Sequence, residues 1–140
     1  MIRKFTGVYR FLSNFAPAEV CYDGITYPTV EQAYQAAKSD DCVRRAQIAI
    51  ARTPGEAKRI GRGGPVRDGW EDLKVGIMRS LLQQKFALPE YRTQLRATGD
   101  QALYEGNTWG DQFWGVDDAT GIGENRLGQL LMSIRVEDPR

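Results

Sequence analysis

One segment sets the terms for the rest of the chain. From Gly69 to about Ala87, capped by Asp68, the sequence predicts its longest helix. Trp70, Leu73, Ile77, Met78, Leu81 and Phe86 fall on a single apolar stripe. A stripe of that size must be covered, so this is expected to be the central core helix. Leu88-Pro89 breaks it, because proline lacks the backbone N–H and clashes with the preceding turn. The 140 residues leave room for one core, so a single domain over residues 1–140 is expected. Hydrophobic residues make up 41% and charged residues 26%, which excludes a disordered or fibrous chain. No apolar run approaches the roughly 18 residues of a membrane span. The start, MIRKFTGVYRFLSNF, lacks the long apolar stretch of a signal peptide. A cytoplasmic protein without membrane association is expected.

Around the long segment the elements are short. Val20–Tyr22 and Ile25–Tyr27 flank Asp23-Gly24, a two-residue hairpin turn in which both positions tolerate positive φ. Arg10 to Pro17 fits neither period and reads as an ordered loop. Thr29-Val30-Glu31-Gln32 has the form of a capping box, with Thr29 as N-cap and Gln32 reaching back. It starts a helix to about Ser39. A second helix is predicted from Asp41 to Arg52. A third starts at Thr53-Pro54, with proline at the first helical position, and stops at Gly61. Beyond the long helix come a short helix from Glu90 to Thr98, a strand at Ala102–Glu105 and a glycine- and aromatic-rich loop from Gly106 to Gly123. A last helix runs from about Glu124 to Val136, burying Leu127, Leu130, Leu131 and Ile134. The fold class is α+β: one compact, mainly helical domain with a small N-terminal β-hairpin.

Histidine is absent, which removes serine–histidine triads, histidine-ligated zinc and all imidazole acid–base chemistry. The two cysteines, Cys21 and Cys42, are too few for a disulfide framework or a thiolate zinc site; two buried thiols are expected, with one disulfide as the alternative. Neither a metal nor a cofactor is expected. Acid–base work near neutral pH falls to carboxylates, then lysine. Net charge is +1 but unevenly spread. Between Cys42 and Arg67 lie Arg44, Arg45, Arg52, Lys58, Arg59, Arg62 and Arg67 against the single acid Glu56. Between Asp100 and Glu124 lie Asp100, Glu105, Asp111, Asp117, Asp118 and Glu124, and no base. Either the first segment meets phosphates and the second serves catalysis, or both are solvated faces.

Several residues are candidates for chemistry. Glu31 sits in a first helical turn, where unsatisfied N–H groups favour the carboxylate anion. Helix-dipole complementarity alone would explain it. Gln35 and Lys38 share its face, and with Tyr34 flanking it they make a pocket wall the alternative. Asn107 to Gly115 packs Trp109, Asp111, Phe113 and Trp114 among glycines. It is either a base-stacking loop or a plug for the core. Gly121 to Gly128 has the wrong spacing for a dinucleotide fingerprint. What it retains is a glycine turn feeding a helix N-terminus, with Asn125 and Arg126, as an anion or hydroxyl site. Gly128 inside a helix points to close packing. Gly61-Arg62-Gly63-Gly64 is a second candidate phosphate contact.

Read together, FLSNFAP (Phe11–Pro17), YPTVEQAYQAAK (Tyr27–Lys38), Gly61-Arg62, Trp70 with its K…M…KF helix, and WGDQFWG…GIGENRLGQLLMSIR resemble the NADAR (YbiA-like) family. The resemblance spans nearly the whole chain in order. It implies a helix-rich α+β fold and N-glycosidase activity. The substrates it implies are early riboflavin-pathway phosphoribosylamino-pyrimidines, or guanine carrying ADP-ribose in nucleic acid. The implied partners are a ribosyl or ADP-ribosyl small molecule and ADP-ribosylated DNA or RNA. By the same resemblance Glu31 is the active-site carboxylate, with Asp111 and Lys38 beside it in catalysis. The tryptophans implicated with it are Trp70 and Trp109; Asn14, Tyr34, Arg62, Asn125 and Arg126 are further candidates for substrate binding. Gln32 departs from the pattern, since the family usually has histidine there, but its place in the capping box reads as structural. The alternative is a non-catalytic module that binds ADP-ribose or another NAD-derived nucleotide. A helical interaction protein using its aromatic loop is a third reading.

Overall fold

The structure, a computed structural model, describes residues 1–138. It is mainly helical, with a two-stranded antiparallel hairpin near the N-terminus. The chain divides into two compact units, Asn14–Lys85 and Met1–Ser13 with Phe86–Arg140.

The unit Asn14–Lys85 opens with β1 (Val20–Tyr22) and β2 (Ile25–Tyr27), paired Val20 to Tyr27. Both turn residues take left-handed φ, +50° at Asp23 and +80° at Gly24, as the tight hairpin requires. Three short helices follow: α1 (Val30–Ala37), α2 (Cys42–Ala49) and α3 (Pro54–Arg62). Each starts on a side-chain cap. Thr29 accepts from the Gln32 N–H, Asp41 from Val43 and Arg44, and Thr53 from Glu56. The second helix stops short of Arg52, and the third continues through Gly61 to Arg62. The three helices pack on one another, and α1 also lies on the hairpin.

The long helix α4 spans Trp70–Ala87. Its buried face is rotated from the predicted stripe. Leu73 is 39% exposed and Ile77 half-buried, whereas Leu82 and Lys85 join Met78, Leu81 and Phe86 inside. A lysine in the interior cannot be foreseen from an apolar stripe. Both cysteines are free, and both are exposed rather than buried.

In the other unit, Gly7–Leu12 forms a 3₁₀ helix that takes in the start of the loop expected from Arg10 to Pro17. It packs against α5 (Pro89–Ala97), and Gly99 takes φ +63° just beyond α5. The predicted strand at 102–105 reduces to one parallel bridge. The Ile2 N–H donates to Ala102 O at 2.9 Å, and the Tyr104 N–H to Ile2 O at 2.8 Å. Pairing moves one step on, to β3 (Gly106–Asn107) and β4 (Val116–Asp117), which run parallel. The last helix, α6 (Arg126–Glu137), buries Leu127, Leu131 and Ile134, with Leu130 half-buried. Among the described residues, no helix is long and apolar enough to cross a membrane.

Candidate active site

Every residue of α1 is buried. A helix with one apolar face would leave its polar face in water; here Glu31, Gln32 and Gln35 are inside as well. Burying a polar side chain without partners costs a few kcal/mol, so each needs a reason. Gln32 has a structural one. Its Nε2 donates to Ile48 O (3.0 Å) and Ala51 O (3.3 Å), carbonyls at and just beyond the C-terminal end of α2. Its Oε1 accepts the Thr29 hydroxyl at 3.1 Å. The side chain therefore reaches forward to α2 and to the cap hydroxyl, not back to the Thr29 backbone as a capping box would have it.

Glu31 is 8% exposed, in the first turn of α1, and its N–H donates to Asn14 O at 3.1 Å. That bond ties the Asn14 loop to the start of the helix. Nδ2 of Asn14 reaches the Met78 sulfur at 3.5 Å, while its Oδ1 is buried without a partner, as is Oε1 of Gln35. One turn on, the Tyr34 ring lies 5.3 Å from that of Trp70, the first residue of α4. Nζ of Lys38 stands 5.4 Å from the centre of the Tyr34 ring. Glu31, Asn14, Tyr34, Lys38 and Trp70 thus belong to one neighbourhood built around a single helix.

The Lys38 amine is held below its usual pKa. Burial is the main cause; Glu31 opposes it, and the positive charges of Arg62, Lys58 and Lys74 add to it. Between the lowered pKa and the ordinary value of 10.5 the unfolded chain binds more protons than the folded one, so stability rises with pH across that window. Lys38→Met removes this linkage. The difference in urea midpoint between the variant and the wild-type protein is expected to shrink steadily from pH 7 towards pH 10.5. A constant difference across that range would contradict the assignment.

The basic segment sorts into two groups. Arg44 donates to Ile60 O at 2.8 Å, and its guanidinium lies so close over Gly64 that a Cβ there would collide with it. Arg45 donates to Ser39 O at 2.8 Å and pairs with Asp23 at 2.6 Å. Arg67 bonds the Tyr22 hydroxyl and the Ala37 carbonyl, closing the end of α1. These three hold the unit together. The glycines of 61–64 answer to packing: Gly61 lies against the Gln35 side chain, and Gly64 against Arg44. Arg62, by contrast, is exposed at the end of α3 and acts on Lys38.

In the other unit the aromatic loop is organised by Asn107, a buried residue the sequence reading did not single out. Its Nδ2 donates to the Glu105 carboxylate (2.9 Å) and to Asp111 O (2.9 Å), and its Oδ1 accepts the Asp111 N–H (3.0 Å). Asp111 in turn accepts the N–H groups of Phe113 (3.1 Å) and Trp114 (2.9 Å) on one carboxylate oxygen. Its presence in the loop therefore has a structural reason. Trp109 projects outward, 63% exposed, just before Gly110 at φ +86°.

The N-terminus of α6 does not offer the open N–H groups expected of an anion site. Arg126 and Leu127 donate theirs to Phe113 O and Trp114 O, carbonyls of the aromatic loop. Asn125, left-handed at φ +53°, uses its amide on Leu103 O and the Glu105 N–H. The Arg126 side chain pairs with Glu124 and lies 5.6 Å from the centre of the Phe113 ring. Among the described residues, no three His, Cys, Asp or Glu side chains are grouped to hold a metal ion.

These features define a class: a small, mainly helical α+β protein in which one buried helix gathers a carboxylate, an aromatic pair and a lysine of lowered pKa. The chain belongs to the NADAR family, whose NADAR domain model matches residues 3–137. It is 42% identical over 130 residues to N-glycosidase YbiA of Escherichia coli strain K12, covering 91% of this chain and 80% of that protein. A riboflavin biosynthesis protein of Vibrio vulnificus is 37% identical over 91% of this chain and 35% of its own length. The solved NMR structure of the E. coli protein YbiA superposes with a TM-score of 0.83 at 38% identity, covering 98% of this chain and 84% of that one. Glycosidase activity is thus attached by name to members of the family.

Proposed function

We propose that this protein is an N-glycosidase that hydrolyses the ribosyl–base C–N bond of a phosphorylated ribose or ADP-ribose conjugate. Riboflavin-pathway phosphoribosylamino-pyrimidines and ADP-ribosylated guanine are the two candidate substrates. The observation that carries the reading is the burial of Glu31 beside Asn14 and the Tyr34–Trp70 pair. The names of the relatives point the same way.

In this reading the C1′–N bond breaks with its electron pair going to the base nitrogen, which takes up a proton. Positive charge develops on the ribose ring, and the Glu31 carboxylate stabilises it. Water bonds to C1′ and gives its proton to Glu31, which returns it to solvent, the source of the proton that the base nitrogen takes up. No step calls for a metal ion. Trp70 and Tyr34 flank the base, Asn14 Oδ1 accepts a ligand O–H or N–H, and Arg62 meets the phosphate. Lys38, poised by its lowered pKa, is the candidate amine should the opened sugar be held covalently. For the loop of the other unit the family motif supports stacking by Trp109 and hydroxyl binding by Asp111, with Asn125 and Arg126 bracing the loop. Gln32 supports retained activity, because its hydrogen bonds serve α2 and the Thr29 cap.

The test is a product assay with both substrates side by side. Release of ADP-ribose from a guanine-ADP-ribosylated oligonucleotide would assign the nucleic-acid substrate. Release of base and ribose 5-phosphate from the pyrimidine intermediate alone would assign the metabolic one. Silence on both, with ADP-ribose still bound at micromolar concentration, would replace the enzyme with a nucleotide-binding module.

A further inference from the structure

We infer that Gln35 binds the sugar hydroxyls of the ligand, with Gly61 holding its amide in place. This rests on the reading of Glu31 as the carboxylate that acts at C1′, and adds a contact which that reading does not contain. Gln35 is one turn beyond Glu31 on α1, about 6 Å along the helix, and on the same face. Its side chain is buried, at 2% exposure. α3 packs on α1, and Gly61 lies directly against the Gln35 amide. A Cβ at position 61 would collide with Oε1 and would stand 3.0 Å from both Cβ and Cδ of Gln35. Oε1 is thus turned to the α3 backbone, where it is buried and accepts no hydrogen bond. Nε2, on the other side of Cδ, is turned away from Gly61. Among the described residues it has no partner either.

A buried amide with both ends idle is the opposite of what folding alone would select. Gln32, on the same helix, shows the structural use of such a side chain. Its Nε2 donates to the Ile48 and Ala51 carbonyls, and its Oε1 accepts the Thr29 hydroxyl. Gln35 ties nothing together in this way. An unpaired amide in the interior lowers stability, and an apolar side chain of the same size would pack there at less cost. A polar group kept under those conditions serves a bound molecule. Its position selects the sugar. The amide is neutral, so the charge of a phosphate falls to Arg62, which follows Gly61 in α3. Gln35 therefore stands between Glu31 and Arg62, as the hydroxyls of a phosphorylated ribose stand between C1′ and the phosphate. A hydroxyl oxygen can accept the Nε2 N–H. Sites that bond a substrate hydroxyl discriminate against the analogue lacking it, because their own polar group is then left unpaired.

Gln35→Met keeps the length of the side chain and removes the amide. Its urea midpoint is expected to equal or exceed that of wild type, whereas loss of a structural glutamine would lower it. Calorimetric titration of the full chain with ribose 5-phosphate, and separately with 2-deoxyribose 5-phosphate, reads the contact itself. Wild type should bind the ribose compound about tenfold more tightly, the scale of one hydrogen bond. Gln35→Met should bind both compounds alike, at the level of the deoxy sugar. Gly61→Ala, which displaces the amide, should lose the preference too. The inference would be overturned by a lowered midpoint in Gln35→Met, or by a wild-type protein that binds neither sugar phosphate or both equally. A preference that survives in either variant would also overturn it. Hydroxyl recognition lost in Gln35→Met, in a protein that cleaves no N-glycoside, would keep the sugar contact and remove the glycosidase reading. Cleavage by Gln35→Met at the wild-type kcat/KM would do the reverse.

Discussion

Glu31→Gln is expected to lower turnover of the susceptible N-glycoside by at least about a hundredfold, the scale of a positioned acid–base group. Affinity should stay within a few-fold of wild type. Glutamine matches the shape of glutamate and leaves the backbone N–H bonded to the Asn14 carbonyl, so the start of α1 should stay folded. What it loses is the negative charge that stabilises the developing cation and the basicity that takes a proton from water. Single-turnover rates and ligand titration on the same preparation would separate the two effects. A variant that turns over at the wild-type rate would remove Glu31 from the chemistry. One that fails to bind would place it in recognition instead.

Gly128→Ala should be strongly destabilising, against the ordinary preference of helices. Alanine is worth about 1 kcal/mol over glycine in a helix interior. At Gly128, though, a Cβ would collide with the Leu103 carbonyl and the Asn125 amide. Leu103 presents a backbone atom, and Asn125 is already bonded to Leu103 O and the Glu105 N–H. Neither can yield cheaply. Overpacking of this kind costs about 1–3 kcal/mol or more, so a net loss of roughly 1–2 kcal/mol is expected in urea denaturation. Gly76→Ala in α4 is the natural comparison, because nothing lies within 4 Å of a Cβ there. It should gain up to about 1 kcal/mol. If both variants were stabilised alike, the close approach of α6 to Leu103 would be refuted.

The contrast between the two glycines shows where sequence reasoning reached and where it stopped. A helical glycine at 128 points to close packing, but not to what packs there. The partner is a carbonyl 25 positions earlier, and only the folded chain brings it near. Elements that rest on local chemistry were readable: Asp23-Gly24 as a tight turn, Thr29 as a cap, Asp41 and Thr53 as helix starts, Pro54 as a first helical residue. The strand expected at 102–105 failed because pairing depends on a distant partner. Ile2 supplies a single bridge, and the ladder forms instead between Gly106–Asn107 and Val116–Asp117.

The candidate site divides in the same way. Glu31, Gln35 and Lys38 could be placed on one helix face from their spacing, since an α-helix fixes that geometry by itself. That the polar face is buried could not, because burial depends on what the hairpin, α2 and α3 bring to it. Among the basic residues, charge alone does not tell a structural arginine from a ligand-binding one. Arg44, Arg45 and Arg67 differ from Arg62 only in which carbonyls and carboxylates lie within reach. Asn107 stayed unnoticed because an asparagine in a glycine-rich loop looks like turn chemistry, until its bonds to Glu105 and Asp111 are seen.

The sequence by itself therefore determined the helix starts, the hairpin, the mainly helical α+β class and the shared face of Glu31, Gln35 and Lys38. Each follows from interactions within a few residues along the chain. Tertiary structure alone decided which face of α4 is buried, what packs against Gly61, Gly64 and Gly128, and which cations act on Lys38. Those outcomes depend on desolvation and on contacts between segments far apart in sequence, and no local pattern encodes either.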